Sequence, residues 1–479
     1  MSDTLITLAI VFGVAIEIVG VLFAFDSIMR GRTPQGTLAW ALALVLIPIV
    51  AVPLYFLIGA RRFDGYVRAR RRGKLGLDVL ATQANDAMRP FRVKSDEHGH
   101  EGCLSRLQLP SMRLTTTRWT TGNRTTLLID GANTFEAIFA AIGVAQRDVC
   151  VQFYIVRDDK IGRQLQAAMI AAANRGVRVH FLYDAMGSNG LTRAFTDELE
   201  EAGVFVASFR TVRKLNIFRS NFRNHRKVVV VDGQSAFIGG LNIGREYLGL
   251  DPEVGPWRDT HLRIDGPAAL AAQLSFVEDW HWVTQEIPKL GWTTQSRGNE
   301  NVLIVPSGPS DSLETCALLF HQVIQCAQSR LWIATPYFVP DEGITLSLQL
   351  ASLRGVDARI MIPEKSDNKM IGLSAYSYYQ DVMPSGVDIY RYQPGFMHHK
   401  VFLIDDLVGV GTANFDNRSF RINFEITAVV IGGPLVEQVQ QMWNADLANC
   451  HRAQLSEFTS RPWLFRAIAR ACRLMAPLQ

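Results

Sequence analysis

The feature that most constrains the fold of this 479-residue chain is a short pattern that occurs twice, about 170 residues apart. Each copy reads H-x-K-x4-D and is followed by a turn of small residues that ends in Asn. Each copy thus supplies an imidazole, an ammonium and an amide, the groups needed to attack and hold a phosphodiester. The duplication predicts a chain built from two similar halves. The copies are His225, Lys227 and Asp232 with Asn242, and His398, Lys400 and Asp405 with Asn414.

The spacing within each copy predicts which of its side chains act together. Both copies lead into short apolar runs of strand composition, residues 228–231 and 401–404. Side chains alternate between the faces of a strand, so the His and Lys of each copy are expected to project together. Asp232 and Asp405 follow their His at an odd offset and are expected on the opposite face. Although both belong to the candidate catalytic motif, we predict that they support it structurally rather than contact substrate.

The repeat extends beyond the motif into the surrounding secondary structure. Each half has a strand, a polar turn, a helix that ends at a glycine, and a second strand. Strands alternating with helices of this length predict an α/β fold with a mostly parallel sheet covered by helices. We expect the halves at 110–290 and 295–455, preceded by a linker over 75–109. The expected strands are 147–155 and 177–183 in the first half, and 329–334 and 358–362 in the second.

The two motifs resemble the paired HKD signatures of the phospholipase D superfamily. The resemblance implies that each half contributes one HKD motif and that the two meet across a pseudo-twofold axis to form one site. It also implies that one His attacks phosphorus, while the other protonates the leaving alkoxide and then deprotonates the incoming hydroxyl. By family analogy, His225 is the nucleophile and His398 the acid/base. The superfamily generally needs no metal, so we expect neither metal nor cofactor.

The resemblance further assigns residues that bind phosphate or orient the histidines. A carboxylate orients each His in the superfamily, and the matching residues are Asp259 in the first half and Glu425 in the second. The alternative for either acid is a surface charge at the start of a strand. The lysines and the residues of the small turns are implied to bind phosphate oxygens. Those turn residues are Gly240 and Asn242 in the first half and Thr412 and Asn414 in the second.

Residues 1–74 are predicted to form a two-helix transmembrane hairpin followed by a basic juxtamembrane segment. Residues 5–25 and 38–59 are apolar runs of 21 and 22 residues, each long enough to cross a bilayer. The first run has no basic segment before it and no small-residue cleavage site after it, which argues against a signal peptide. Glu17, the one acid in that run, is costly in lipid and is expected to face the second helix or a polar partner.

The basic residues around these runs predict the orientation in a bacterial inner membrane. Arg30 and Arg32 lie in the link between the runs, whereas a larger cluster follows the second run. The positive-inside rule therefore places the catalytic part in the cytoplasm, and the cluster also attracts anionic headgroups. With 49 basic and 45 acidic residues, the chain lacks the excess charge of a broad nucleic-acid surface. The expected partners are the membrane and anionic phospholipids, and the oligomeric state is left open.

Residues 460–479 are predicted to form a basic amphipathic helix. On a helical wheel its apolar stripe lies opposite its arginines, a pattern typical of helices in the membrane interface. A helix packed on the protein's own surface with solvated arginines fits equally well. The six cysteines are scattered without C-x-x-C spacing, which predicts no zinc or redox motif and fits a reducing cytoplasm. The stripe is Leu464, Ile468, Ala471 and Met475, and the arginines are Arg466, Arg470 and Arg473.

Within the superfamily the chain most resembles membrane-anchored bacterial cardiolipin synthases, over nearly its whole length. The segments that carry this resemblance are 175–179, 257–259, 336–341 and 461–463. It implies that two phosphatidylglycerol molecules give cardiolipin and glycerol, an exchange of one phosphodiester for another that needs no nucleotide. The same motifs could serve a hydrolytic phospholipase D or a phosphatidylserine-forming transferase. A membrane-tethered nuclease is a more remote alternative.

Overall fold

The protein is described by a computed structural model that covers residues 3–31, 34–59, 74–93, 103–209 and 222–475. The chain divides into two compact units. The smaller unit comprises residues 1–68 with 211–223, and the larger comprises 69–210 with 224–479. The N-terminal apolar runs therefore belong to the smaller unit, and both HKD motifs belong to the larger.

The described part of the smaller unit is helical, with helices at Asp3–Arg30, Pro34–Leu46 and Pro48–Ile58. Thr7–Met29 is long and apolar enough to cross a bilayer. The second predicted span is interrupted at Ile47, which has φ −138° and ψ 57°. Pro48 causes this break because it lacks a backbone N–H and disfavours helical geometry in the preceding residue. The predicted two-helix hairpin is thus confirmed for its first helix, while its second helix is two shorter ones.

The first helix of this unit packs closely against the shorter two. Gly20 permits the approach, because a Cβ at this position would lie 2.3 Å from the carbonyl oxygen of Leu44. The Tyr55 hydroxyl donates to the Asp26 carboxylate at 3.0 Å. Glu17 is exposed and does not face the second apolar run, so of the two expectations only a polar partner stays a prediction. The predicted basic cluster over 61–72 and Arg32 lie outside the described residues.

The strands of the chain are short, and most belong to a single mixed sheet. In the first half they are β1 Thr120–Ile129, β2 Asp148–Phe153, β3 Arg178–Asp184, β4 Phe205–Phe209, β5 Arg223–Asn224, β6 Val228–Val231, β7 Ser235–Gly239, β8 Trp257–Arg258 and β9 Thr260–Asp265. In the second half they are β10 Glu300–Ser307, β11 Arg330–Ala334, β12 Phe338–Val339, β13 Asp357–Pro363, β14 Asp388–Tyr392, β15 Phe396–Met397, β16 Val401–Ile404, β17 Leu407–Gly411, β18 Phe415–Asp416, β19 Asn423–Ile431 and β20 Cys450–Arg452.

The strand order shows the pseudo-twofold relation between the halves. From one edge inward the order is β4-β3-β2-β6-β7-β9-β1, and from the other it is β20-β14-β13-β11-β16-β17-β19-β10. Apart from β20 the two orders match strand for strand, and β1 and β10 pair antiparallel at the centre. The sheet of one half therefore continues into the sheet of the other, which brings the strands after the two motifs to equivalent positions.

The predicted mostly parallel sheet is wrong in its central part. Within the main sheet, the described parallel pairs are those of β2-β3-β4 and β11-β13-β14, whereas the neighbours on the central side of β2 and β11 pair antiparallel. The cause is the tight turn after each motif, which joins β6 to β7 and β16 to β17 as hairpins. Asp232 and Asp405 sit in these turns with φ 54° and 50°. The predicted strands over 147–155, 177–183, 329–334 and 358–362 are confirmed as β2, β3, β11 and β13.

Helices cover the sheet and enclose a separate apolar core in each half. The helix predicted between the first two strands of the first half is confirmed at Lys160–Asn174, and the Asp159 carboxylate caps it by accepting from two backbone N–H groups at 2.9–3.0 Å. The helices of the larger unit are Lys74–Met88, Cys103–Leu114, Asp130–Gly143, Lys160–Asn174, Arg193–Glu201, Ala268–Thr284, Thr315–Cys326, Glu342–Leu353, Lys369–Val382, Asn417–Arg421, Pro434–Leu447, Leu455–Thr459 and Trp463–Leu474.

Candidate active site

The first HKD motif lies where the chain enters β6, against the backbone of the second half. The backbone N–H of His225 donates to the carbonyl oxygen of Phe424 at 2.9 Å. The Lys227 side chain is fully buried, and its ammonium donates to the carbonyl of His225 at 2.7 Å. The same ammonium lies 5.4 Å from the ring centroid of Tyr154, whose edge packs on the His225 imidazole. His225 and Lys227 are therefore held on one side of the segment, as predicted.

The second HKD motif enters β16 in the equivalent way, against the backbone of the first half. The backbone N–H of His398 donates to the carbonyl oxygen of Arg258 at 2.7 Å. The Lys400 ammonium donates to the carbonyl of His398 at 2.8 Å, and it also lies 2.9 Å from Nε2 of that imidazole. The Trp257 ring packs 5.0 Å from the His398 ring. Each motif is thus positioned by the half that does not contain it.

The carboxylates predicted to orient the histidines cross between the halves. Glu425 of the second half binds Nδ1 of His225 at 2.9 Å, and Asp259 of the first half binds Nδ1 of His398 at 2.7 Å. Both carboxylates are fully buried. With Nδ1–H donated to a carboxylate, each imidazole presents Nε2 for chemistry. This crossing makes one site out of two motifs, because neither half can orient its own histidine.

Burial and the surrounding charges set the protonation of the empty site. Burial lowers the pKa of His225 to about 4 and that of His398 to about 3, against carboxylates that raise both. Burial likewise lowers the pKa of Lys227 to about 7 and that of Lys400 to about 8. The lysine of each motif also lowers the pKa of the other motif's histidine, so the two motifs share one electrostatic environment. A bound phosphodiester anion would favour the protonated form of all four groups.

The aspartates of the motifs face away from the histidines and hold the turns. The Asp232 carboxylate accepts from the backbone N–H groups of residues 146–148 at 2.7–2.9 Å. The Asp405 carboxylate accepts from those of residues 328–330 at 2.8–3.0 Å and from the Ser329 hydroxyl at 2.7 Å. Burial alone would raise the pKa of Asp405, but these hydrogen bonds lower it. This geometry agrees with the structural role that the alternation of side chains predicts.

The small turns contact the carboxylates and the neighbouring backbone. A Cβ at position 240 would lie 2.1 Å from Asp259 Oδ1, so Gly240 leaves room for that carboxylate. Thr412, its counterpart, instead donates its hydroxyl to Glu425 at 2.6 Å. Their role as phosphate-binding residues remains a prediction.

The two asparagines that end the turns are both buried. Asn242 accepts from the backbone N–H of Ile155 at 3.0 Å and donates to the Tyr247 hydroxyl at 3.0 Å. Asn414 has a buried side-chain oxygen without a hydrogen-bond partner among the described residues. Binding of phosphate oxygens by these asparagines also stays a prediction.

Behind the first histidine lies a buried ion pair that sequence reasoning missed. The Arg226 guanidinium donates to the Asp279 carboxylate at 2.9 Å, to the Glu425 carbonyl at 3.0 Å and to the Ser307 carbonyl at 3.1 Å. Asp279 lies on the helix Ala268–Thr284 and also accepts from two buried amide side chains, Gln152 at 2.8 Å and Asn224 at 2.7 Å. Arg226 therefore fixes the backbone of the residue that orients His225.

The second half has an equivalent cluster with different residues. His399 occupies the position of Arg226, and its Nε2 lies 3.1 Å from Asp446 on the helix Pro434–Leu447. Arg258 donates to Asp446 at 2.9 Å and to Asp130 at 2.8 Å. The same alternation that pairs His with Lys predicts that the residue between them points the other way. A charged residue there requires an acid partner, and this requirement is the signal that could have revealed both clusters.

The arrangement suits acid–base and nucleophilic chemistry on a phosphodiester. Two neutral imidazoles with oriented Nε2 atoms and two ammonium groups lie in one electrostatic environment. Among the residues that the structure describes, no group of three or more His, Cys, Asp or Glu side chains is arranged to hold a metal ion.

Comparison with known proteins identifies the family. A family model described as "Cardiolipin synthase, PLD-like domain" matches residues 138–264 and 320–447, once in each HKD half. Cardiolipin synthase A of Pseudomonas aeruginosa is 41% identical over 473 residues, covering 97% of this chain and 95% of that protein. Cardiolipin synthase A of Pseudomonas entomophila is 40% identical over 475 residues, covering 97% of each. The chain belongs to the cardiolipin synthase family of the phospholipase D superfamily.

Membership of the cardiolipin synthase family confirms the predicted superfamily, the α/β fold with two phospholipase D-like halves, and the phosphatidyltransferase activity. Phosphatidylserine synthase from Haemophilus influenzae Rd KW20 shares the fold, with a TM-score of 0.58 at 15% identity over 74% of this chain and 95% of that chain. A family model described as "Phospholipase_D-nuclease N-terminal" matches residues 18–59. The chain is thus a membrane-associated enzyme that acts on phospholipids.

Proposed function

We propose that this enzyme transfers a phosphatidyl group from one phosphatidylglycerol to another, giving cardiolipin and glycerol. The observation that carries the proposal is the crossing of Asp259 and Glu425, which orients two histidines from two motifs toward one site. Near-full-length similarity to proteins named cardiolipin synthase A supports this choice of donor and acceptor. Because one phosphodiester replaces another, the reaction is near balance and needs no nucleotide.

In the first step, Nε2 of one imidazole attacks the phosphorus of the donor phosphatidylglycerol. The bond from phosphorus to the glycerol headgroup breaks, and the leaving alkoxide takes a proton from Nε2 of the other imidazole. The product of this step is a phosphatidyl-histidine with free glycerol. Lys227 and Lys400 stabilise the charge that develops on the phosphate oxygens. Their lowered pKa values mean that the substrate anion itself favours the charged, binding-competent form.

In the second step, the terminal hydroxyl of a second phosphatidylglycerol replaces the histidine. The imidazole that gave up its proton now removes one from this hydroxyl, and the resulting oxygen attacks phosphorus. The phosphorus–nitrogen bond breaks, which releases cardiolipin and restores both histidines. Protons and charges therefore balance over the cycle without any other reactant.

We assign the nucleophile to His225 and the acid/base role to His398. The Lys400 ammonium lies 2.9 Å from Nε2 of His398, so the lone pair of that nitrogen is engaged. Lys227 donates instead to the His225 carbonyl, and no described residue forms a hydrogen bond with Nε2 of His225. A nucleophile needs a free lone pair. This difference supports the same assignment as family analogy.

We further propose that the chain crosses the inner membrane twice and that the larger unit lies in the cytoplasm. Thr7–Met29 and the broken helical stretch from Pro34 to Ile58 supply the apolar lengths, and the basic residues after residue 60 supply the orientation. In spheroplasts, an impermeant maleimide should label Gly36→Cys directly. It should label the exposed Arg193→Cys only after permeabilisation, and labelling of Arg193→Cys in intact spheroplasts would contradict the orientation.

A product assay tests the proposed function. Purified full-length protein in mixed micelles with phosphatidylglycerol should release cardiolipin and glycerol in equal amounts. Phosphatidic acid without cardiolipin would indicate a hydrolase instead. Phosphatidylserine formed from added serine would indicate a serine transferase, and DNA cleavage with inert lipid would indicate a nuclease. His225→Ala and His398→Ala serve as controls and should show no product.

A further inference from the structure

The helix Trp463–Leu474 is attached to the larger unit along one side only. Ala469 is buried on this side, and the Phe465 ring contacts the Tyr376 ring edge-on at 5.6 Å. The Arg473 guanidinium lies 4.1 Å from the centroid of the Tyr378 ring and pairs with Asp381 at 2.6 Å. An aromatic contact, a cation–π contact and an ion pair thus fix the orientation of the helix about its axis.

The opposite side of this helix, which we name the outer stripe, is entirely apolar. With 3.6 residues per turn, its members fall on one continuous face. The five large residues expose between 41% and 80% of their surface, with Leu474 at 80% and Trp463 at 72%. The outer stripe consists of Trp463, Leu464, Ala467, Ile468, Ala471, Leu474 and Met475, and all seven are exposed.

An apolar face of this kind is unfavourable in water and requires a partner. Helices on the surface of soluble domains turn a polar face outward, and this helix does the reverse. Contiguous exposed apolar patches generally mark contacts with proteins or membranes. The sequence left open whether this helix packs on the protein or lies in the membrane interface. In the structure the helix packs on its own protein and still presents its apolar stripe outward.

The charges around the outer stripe decide between possible partners. Residues 460–479 contain four arginines and no acidic residue. The exposed Arg470 borders the stripe beside Trp463, and the exposed Arg461 precedes it with its guanidinium 5.3 Å from the Phe465 ring. Two copies joined stripe to stripe would bring these arginines together without a counter-charge. An anionic bilayer instead offers apolar contact to the stripe and phosphate groups to the arginines.

We propose that the outer stripe lies in the headgroup region of an anionic phospholipid bilayer and docks the larger unit on the surface that holds its substrate. The choice of an anionic surface rests on the proposed function, since phosphatidylglycerol and cardiolipin are both anionic. The contact is separate from the N-terminal helices, which belong to the smaller unit. Trp463 and the flanking arginines suit the interface, where amphipathic side chains are favoured.

Site-specific photocrosslinking of the full chain in phosphatidylglycerol-containing liposomes tests this contact. With p-benzoylphenylalanine in place of Ile468, we expect a phospholipid adduct on the peptide that contains position 468. The control replaces Val144, which is 71% exposed and lies in the turn that follows the helix Asp130–Gly143. A crosslink from position 468 to a second copy or to another segment of the chain would overturn the proposal. Equal lipid adducts at both positions would overturn it as well.

A kinetic comparison tests whether the contact serves catalysis. Ile468→Glu should lower turnover on phosphatidylglycerol in vesicles several-fold, whereas Val144→Glu should not. Both variants should turn over a short-chain phosphatidylglycerol dissolved as monomers at the wild-type rate, which also verifies that they fold. Equal losses in both variants, or a loss on monomers as well, would overturn the proposal. If wild-type protein makes no cardiolipin at all, the proposed function is wrong. The crosslinking experiment tests the membrane contact independently of that outcome.

Discussion

The two halves of the larger unit hold their histidines in the same way but balance the charge behind them differently. In the first half, the guanidinium next to the helix aspartate comes from Arg226, within the HKD motif itself. Behind the second histidine, the guanidinium comes from Arg258 of the first half, the residue before the orienting carboxylate, and His399 occupies the motif position. The residues that face the site are thus repeated, whereas the residues behind it only need to neutralise Asp279 and Asp446. The comparison separates side chains required by chemistry from those required by burial.

A second difference concerns the chemistry itself. Lys400 engages Nε2 of His398, whereas Lys227 leaves Nε2 of His225 without a described hydrogen bond. Two motifs with the same H-x-K-x4-D pattern therefore differ in whether Nε2 of their histidine has a hydrogen-bond partner among the described residues. We propose that this contact of Lys400, and not the shared pattern alone, distinguishes the roles of the two histidines.

Substitution of the two carboxylates that orient the histidines should have the largest effect on activity and tests this difference. Glu425→Gln and Asp259→Asn should each lower kcat/KM about 10³-fold, because each removes the charge that orients an imidazole and stabilises its cation. A phosphatidyl ester of p-nitrophenol separates the two, since its leaving group needs no proton. In the first turnover, Asp259→Asn should release nitrophenol at nearly the wild-type rate, and Glu425→Gln should not. Rescue of Glu425→Gln instead would exchange the roles of the histidines.

Substitutions in the two clusters behind the histidines should destabilise the protein to different extents. Arg226→Met leaves the fully buried Asp279 with amide partners alone and should lower the free energy of unfolding by about 3–5 kcal/mol. Arg258→Met should cost less, because His399 still contacts Asp446. Denaturant unfolding in detergent measures both losses. Arg226→Met combined with Asp279→Leu should recover part of the loss, and equal losses for the two arginines would contradict the comparison.

The pH dependence of kcat/KM should report the two lysines of the free enzyme. Their protonated forms bind phosphate, and burial lowers the pKa of Lys227 to about 7 and that of Lys400 to about 8. Each lysine should therefore steepen the fall in rate by about tenfold per pH unit, Lys227 above pH ~7 and Lys400 above pH ~8, on top of the fall that the low pKa of the acid His398 causes. Lys227→Arg stays charged throughout and should flatten the first limb of the profile. A value of kcat/KM that stays constant from pH ~7 to ~9 would contradict the requirement for two protonated lysines.

The smallest effect is expected at a turn position where the halves differ. Thr412→Val removes the hydroxyl that Glu425 accepts and should cost about 1 kcal/mol of catalytic free energy, or a few-fold in rate. Thr412→Ser keeps the hydroxyl and should behave like the wild type. A loss as large as that of Glu425→Gln would indicate that Thr412 contacts the substrate directly, as the family resemblance implies.

The sequence was sufficient to predict the parts of the site that recur at fixed spacing. His225, Lys227 and their counterparts are recognisable because strand geometry requires the same residue types at the same offsets. Glu425 and Asp259 could be chosen as partners, but not assigned to a particular histidine. That assignment depends on how the halves meet at β1 and β10, which local spacing does not encode.

Other features depend on contacts between residues far apart in the chain. The Arg226–Asp279 pair joins a motif to a helix that begins some forty residues later, so local sequence patterns do not predict it. The amphipathic pattern of residues 460–479 predicted a helix but not which of its sides packs. Arg473 decides this by reaching Tyr378 and Asp381. The break in the second apolar helix at Ile47, in contrast, has a local cause, because the proline that follows disfavours helical geometry in the residue before it.

Trapping the covalent intermediate tests the central claim most directly. Asp259→Asn should form the intermediate quickly from the nitrophenyl ester and resolve it slowly, so that it accumulates. After acid-free quenching and digestion, peptide mass spectrometry should place the phosphatidyl group on His225. A phosphatidyl group on His398, or on neither histidine, would contradict the account.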